Sequence, residues 1–247
     1  MEVRGIILKQ VEYKENDRIY TIATDRLGKI SCIARGVKAP NSKLAKGLAL
    51  FCFLELELSK HNDMYIITSS QKVVDFRKIA TDLEKCSYAG YFMALSNDLF
   101  LEEEPYPELL KLLLNTFYLL SETQKDPELI KITFDLRSIF LSGFALMLDS
   151  CEACGGEKVE WIDLNEGIGY CGGCNPGGTT LKISPGAVKT LEHILTQEDQ
   201  KLFAYSLNNE LKKELSHLSE TYIRLCMQKE YSSLKYLRNI QKGLAKG

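Results

Sequence analysis

The chain has 247 residues, 45% hydrophobic and 26% charged, with a net charge of −2. That is long and apolar enough for two ordinary cores, and it excludes a disordered or low-complexity protein. No signal-peptide run follows Met1, and apolar stretches such as Leu48 to Leu54 are too short to cross a bilayer; the expectation is a soluble cytoplasmic protein with no membrane contact.

The first 76 residues alternate with the period of two that marks strands: Gly5 to Tyr13, Arg18 to Thr24, Lys29 to Gly36, Leu50 to Lys60 and Met64 to Phe76. Turn residues separate them, including Lys14 to Asp17, Asp25 to Gly28 and His61 to Asp63, with a longer loop from Val37 to Ala49. Five short strands with the long connection between the third and fourth predict an OB-fold barrel, with an SH3-like barrel as the competitor. On the fourth strand Leu50, Cys52, Leu54, Leu56 and Leu58 share the predicted core face. Phe51 and Phe53 lie on the other, beside Glu55 and Glu57, which favours packing on the next domain over stacking on bases.

Charge divides with the elements. Residues 1–80 hold 14 Lys/Arg and 9 Asp/Glu, and the remainder holds 17 and 24. No acid occurs from Arg26 to Leu54, whereas Arg26, Lys29, Arg35, Lys38, Lys43 and Lys46 all fall there. Such a window on a small β-barrel predicts a polyanion surface, and these six are the candidate DNA-binding residues.

From Thr81 the period becomes helical: Leu83 to Leu101, Pro107 to Ser121, then Pro127 to Leu148 with Asp126-Pro127 as N-cap and first turn. The third segment is apolar around nearly its whole circumference, from Ile130 to Leu146, and should be the buried central helix. Ser184-Pro185 restarts helix through Leu195, and a long helix near Leu207 to Lys229 follows. Its stripe of Leu211, Leu215, Leu218, Tyr222 and Leu225 reads first as core; a partner groove rimmed by Lys212, Lys213 or Arg224 is the second reading.

Between these helices stand Cys151-x2-Cys154 and, after sixteen residues, Cys171-x2-Cys174. Two close pairs of soft ligands are what tetrahedral zinc needs, and glycines at 155, 156, 172 and 173 suit tight knuckles. Lys158 to Ile162 and Ile168 to Tyr170 read as a hairpin joining the pairs. Four cysteine ligands leave no open position, so the expected cofactor is one structural Zn²⁺. The stretch from Asp149 to Gly178 holds six acids against Lys158, which disfavours DNA there. The other four cysteines, Cys32, Cys52, Cys86 and Cys226, read as core thiols.

No catalytic constellation is legible. His61, His193 and His217 have no nucleophile motif or metal spacing beside them, and the glycines at 172–178 lack the Lys-Ser/Thr of a phosphate loop. The chain is expected not to be an enzyme. The fold class expected is α+β and multi-domain: an OB-fold nucleic-acid-binding domain over residues 1–80, then an all-α helical domain over residues 81–247 carrying a four-cysteine zinc finger at about residues 149–180.

This order of parts resembles the RecO family of DNA repair proteins. The likeness runs over nearly the whole chain and is carried by Tyr13-x-Glu15-x-Asp17, Thr24-x3-Gly28, Ala34-Arg35-Gly36 with Ser42-Lys43, the cysteine quartet, and Leu181-x2-Ser184-Pro185-Gly186-Ala187. The resemblance implies a recombination mediator that binds single- and double-stranded DNA, anneals complementary strands without ATP, and acts with RecR to help RecA displace single-strand DNA-binding protein. It also implies that the acidic C-terminal tail of that protein docks on the helical domain, though no residue of the dock carries over. An RNA-binding barrel protein of translation or ribosome assembly is the alternative, and a zinc hydrolase is disfavoured by the closed cysteine shell.

Overall fold

The computed structural model describes residues 1–62 and 64–244, so Asp63 of the expected turn lies outside the described residues. The chain forms two compact units: Met1–Gln124 together with the segment from Tyr231, and Lys125–Glu230.

In the first unit, β1 (Glu2–Tyr13), β2 (Asp17–Thr24), β3 (Gly28–Ala34), β4 (Cys52–His61) and β5 (Met64–Asp75) close into a barrel in the order β1-β2-β3-β5-β4. Only the β3–β5 pairing is parallel; the other pairings are antiparallel. This is the five-stranded OB-type barrel expected from the alternation. β1 pairs with β4 from Glu2 to Ile6 and with β2 from Gly5 to Tyr13, and a register shift between Ile7 and Lys9 in the β2 ladder bends the strand around the barrel. Residues of alternate parity fill the core, among them Ile7, Ile22, Ile30, Cys32, Leu54, Leu56, Leu58 and Ile67. Each such buried side chain contributes about 1.5–3 kcal/mol. Burial pushes the Cys32 thiol up to about 12 and the Cys52 thiol up to about 11, so both remain protonated core groups.

The long connection between β3 and β4 contains one turn of helix, α1 (Lys43–Gly47), where a plain loop was expected. The Ser42 hydroxyl accepts from the Ala45 N–H and starts it. Gly47 ends it against β5, where a Cβ would lie 2.1 Å from Ser70 Oγ. At the other end of β3, Gly28 holds φ +65° in the tight β2–β3 turn, and a Cβ there would strike the Glu104 backbone at 2.3 Å.

A 3-10 turn (Arg77–Thr81) leads to α2 (Leu83–Leu99), which Asp82 caps by accepting from Lys85 N. α3 (Pro107–Glu122) follows, and the last helix, α7 (Ser232–Leu244), packs back on α2. Phe51 is buried with its ring edge-on to Phe117 of α3 at 5.9 Å, and Phe76 meets the same ring at 6.0 Å. Phe51 therefore packs, as its acidic neighbours suggested, and offers no stacking face to a base.

The second unit holds α4 (Pro127–Leu141), a small sheet of β6 (Trp161–Asp163), β7 (Ile168–Tyr170) and β8 (Leu181–Lys182) in the order β7-β6-β8, then α5 (Pro185–Thr196) and α6 (Asn209–Met227). Asp126 caps α4 and Pro127 opens it, as expected. The helix stops seven residues before the predicted Leu148. Gly143 takes φ +92°, its N–H donates to Phe140 O at 3.0 Å, and the Phe144 N–H donates to Ile139 O at 3.1 Å, which is a Schellman stop. Phe144, expected in the core, is 40% exposed as a result. The α6 stripe is mainly core: Leu215, Leu218 and Tyr222 are buried, Leu211 is half-buried and Leu225 is exposed.

The interior of this unit is not purely apolar. Lys131 on α4 is fully buried; its Nζ lies 2.8 Å from Asp135 Oδ2 and 3.3 Å from Glu220 Oε1. Ser219 Oγ of α6 donates to Asp135 Oδ2 at 3.0 Å. No described helix is long and apolar enough to cross a membrane.

Candidate metal centre and nucleic-acid surface

The first cysteine pair sits on a knuckle that its glycines make possible. The Gly155 N–H donates to Cys151 O at 2.8 Å, the Cys151 N–H donates to Gly156 O at 2.7 Å, and Gly155 has φ +70°. The second pair turns more simply, with the Cys174 N–H on Cys171 O at 3.2 Å. The β6–β7 hairpin brings the knuckles together: Glu152 N–H donates to Gly169 O at 2.9 Å, and the Gly172 N–H donates to Glu160 Oε2 at 2.8 Å. Lys158 pairs with Glu160 at 2.6 Å, and with the Gly172 N–H it holds that carboxyl below its usual range.

The sulfurs of Cys151, Cys154, Cys171 and Cys174 all lie within 4.8 Å of one another, and those of Cys154 and Cys171 are 3.9 Å apart. Metal–sulfur bonds of about 2.3 Å at tetrahedral angles separate sulfurs by about 3.8 Å, so the quartet fits a tetrahedral thiophilic ion. Backbone N–H groups of the knuckles, that of Cys171 first, pull the Cys151 thiol down to about 6. The neighbouring thiols of Cys171 and Cys154 push Cys174 up to about 12. A bound cation would draw off the protons of the four thiols together. Among the described residues no other group of His, Cys, Asp or Glu is gathered in this way. His61 and His217 are exposed, His193 is half-buried with its ring 5.2 Å from that of Tyr205, and none belongs to the quartet.

The six basic candidates on the barrel do not form one cluster. Arg35 follows the end of β3, and the loop after it is tied to the β1–β2 turn: Gly36 N–H donates to Asp17 Oδ1 at 2.8 Å and Lys38 N–H to Asn16 O at 3.0 Å. Arg35, Lys38, Lys43 and Lys46 are exposed, and the pairing of Ile33 with Ile66 points β3 toward Ser70, where α1 is seated. These four share one end of the barrel. The window missed two cations there. Arg18 opposes Ala34 across the β2–β3 ladder and shares the Glu12 carboxylate with Lys38, at 2.9 and 2.5 Å. Lys14 is exposed on the same β1–β2 turn, its ammonium 5.3 Å from the Tyr13 ring centre.

Arg26 and Lys29 lie at the opposite end. Six residues of strand separate Lys29 from Arg35, about 20 Å at 3.3 Å per residue. Arg26 lines a depression with Arg4, Glu2, Asp25 and Glu55, three acids against two arginines, which disfavours phosphate. Lys29 is half-buried, its ammonium donating to Asn97 O at the C-terminal end of α2 at 2.8 Å. It fastens α2 to β3, together with its own N–H on Leu101 O at 3.0 Å.

The sequence matches two family models, "Recombination protein O N terminal" over residues 1–75 and "Recombination protein O C terminal" over residues 80–235. It is 34% identical to the DNA repair protein RecO of Acetivibrio thermocellus over 98% of both chains. It is 28% identical to the protein of that name from Caldicellulosiruptor bescii over 98% of this chain and 99% of the relative, and 27% identical to that from Clostridium novyi over 98% and 94%. The closed barrel, the helices that follow it, the cysteine quartet and these full-length matches lead to one assignment: the chain belongs to the RecO family of DNA repair proteins.

Proposed function

We propose that this protein is a recombination mediator of the bacterial cytoplasm that binds single- and double-stranded DNA at one end of its barrel and anneals complementary strands without a nucleotide. With RecR it helps RecA load onto DNA coated by single-strand DNA-binding protein. The observation that carries this reading is the gathering of Arg35, Lys38, Lys43 and Lys46 on one end of an OB-type barrel in a RecO-family chain. A surface of that kind neutralises phosphates while leaving base edges free to pair. Arg18 and Lys14 add to it; Arg26 and Lys29 do not.

In this reading the barrel, residues 1–80, handles DNA and residues 81–247 handle protein partners, including the acidic tail of single-strand DNA-binding protein. The α6 stripe is largely covered, so the tail has to use other surface of the helical part. Cys151, Cys154, Cys171 and Cys174 hold one Zn²⁺, whose closed thiolate shell supplies a cross-link and no reaction centre.

The test is a salt titration of binding to single strands short enough to occupy the barrel alone. About four phosphate contacts give a logarithmic slope of about −3 with little sequence preference. Arg35→Glu/Lys43→Glu/Lys46→Glu should weaken binding at least about a hundredfold at low salt and flatten the slope by about 2. Normal binding by that variant would move the site elsewhere.

A further inference from the structure

The seventeen residues from Tyr231 onward carry Lys235, Arg238, Lys242 and Lys246 and no acid, a second acid-free basic stretch at the other end of the chain from the first. Lys246 lies outside the described residues; the other three are on α7. The C-terminal family model stops at residue 235, so most of this helix falls beyond it.

α7 is held in the first unit through Leu237, Gln241 and the tyrosine that precedes it. Leu237 is fully buried, the Gln241 amide donates to Tyr88 Oη at 2.7 Å and to Glu84 Oε1 at 3.1 Å, and Tyr231, just before the helix, packs edge-on against Tyr91 at 5.9 Å. At 100° per residue, Lys235, Asn239 and Lys242 fall on the side away from Leu237, and all three are exposed. Tyr236 flanks them and is 54% exposed. An exposed tyrosine beside two exposed lysines is the composition of a single-strand stacking platform.

The contacts also fix where this strip begins. The helix runs antiparallel to α2, with Tyr231 Oη donating to Asp98 Oδ2 at 2.8 Å, one residue from the Asn97 carbonyl that holds Lys29 of β3. The strip therefore starts at the Lys29 end of the barrel, opposite Arg35, and follows α2 back toward the Arg77–Thr81 turn that leads out of β5, Lys235 and Lys242 lying about 10 Å apart along the axis.

We propose that the outer face of α7, through Lys235, Tyr236 and Lys242, is a second contact surface for single-stranded DNA, engaged by strands longer than the barrel alone accommodates. The proposal rests on the barrel reading above and adds a separate surface that starts at the barrel's Lys29 end, reached only by strands long enough to span from Arg35 to it. Charge complementarity selects a polyanion, and the tyrosine selects unpaired bases over duplex.

The test uses the full chain, with Lys235→Glu/Lys242→Glu and, separately, Tyr236→Ala, each shown to melt as the native protein does. Binding is measured on oligonucleotides of about 8 and about 30 nucleotides, the first within and the second beyond the roughly 4–16 nucleotide site of one OB fold. The expected result is 8-mer binding within about twofold of native and 30-mer binding at least about tenfold weaker, with the 30-mer salt slope shallower by about 1.4 for two lost phosphates. Tyr236→Ala should weaken the 30-mer about tenfold and leave its slope unchanged. Native 30-mer affinity and slope in the charge variant, or equal loss on both lengths, overturns the proposal. The Arg35→Glu/Lys43→Glu/Lys46→Glu variant separates the two readings, since native 8-mer binding there overturns the barrel site alone.

Discussion

Cys154→Ser is expected to strip the metal from the protein and to unfold the second unit at a lower temperature. Cys154 supplies one of four sulfurs lying within 4.8 Å of one another, and a tetrahedral ion left with three thiolates and a hydroxyl binds far more weakly. The ion closes the chain between Cys151 and Cys174, and opening such a link of about 20 residues costs about 3 kcal/mol in chain entropy. For a unit of about a hundred residues that lowers its melting temperature by roughly 12–24 °C. Trp161 is the only tryptophan and lies on β6 of the hairpin, so its emission reports this unit selectively. Zinc content by elemental analysis should fall from one per chain to near zero, and the tryptophan transition should shift while the barrel's does not. Full zinc and unchanged melting in the variant would refute the metal site.

Lys131→Met should be the most damaging single change away from the cysteines. Lys131 and Asp135 are both fully buried, one helical turn apart, with Glu220 reaching in from α6. Removing the ammonium leaves the Asp135 carboxylate in the core without its counter-ion, the Ser219 hydroxyl still donating at 3.0 Å, a loss of about 3–5 kcal/mol. The pair as a whole is worth far less than that, because desolvation of two ions offsets most of their attraction. Lys131→Met/Asp135→Leu should therefore recover most of the stability. Urea unfolding followed by Trp161 distinguishes the cases, and a Lys131→Met protein within about 1 kcal/mol of native would show the network to be incidental.

The barrel was legible because its strands bury alternate residues: Cys52, Leu54, Leu56 and Leu58 have the period of two that a half-buried strand imposes. The metal centre was legible because its four ligands lie in two local pairs whose spacing is the geometry. What escaped is what contiguity hides. Arg26 and Arg35 share one acid-free window, yet a strand carries its two ends about 20 Å apart, and only pairing with β2 and β5 reveals which cations meet. Lys131 and Asp135 sit in a helix that reads as apolar on every side; composition registers two charges and cannot show that they neutralise each other at i, i+4. The early stop of α4 had a local signal in Ser142-Gly143, outweighed by the run of apolar residues after it. α7 begins after Gln228, Lys229 and Glu230 with no proline or glycine to mark its start, and its core-facing side is short.

Strand annealing tests the basic end of the barrel most directly. Two complementary oligonucleotides, one carrying a fluorophore and the other a quencher, are mixed at low salt with no nucleotide and no divalent metal. The native protein should accelerate their pairing well above the spontaneous rate, and Arg35→Glu/Lys43→Glu/Lys46→Glu, folded and at the same concentration, should leave the spontaneous rate unchanged. Pairing that requires ATP, or a triple variant that anneals as fast as the native chain, would contradict the assignment of this activity to the basic end of the barrel.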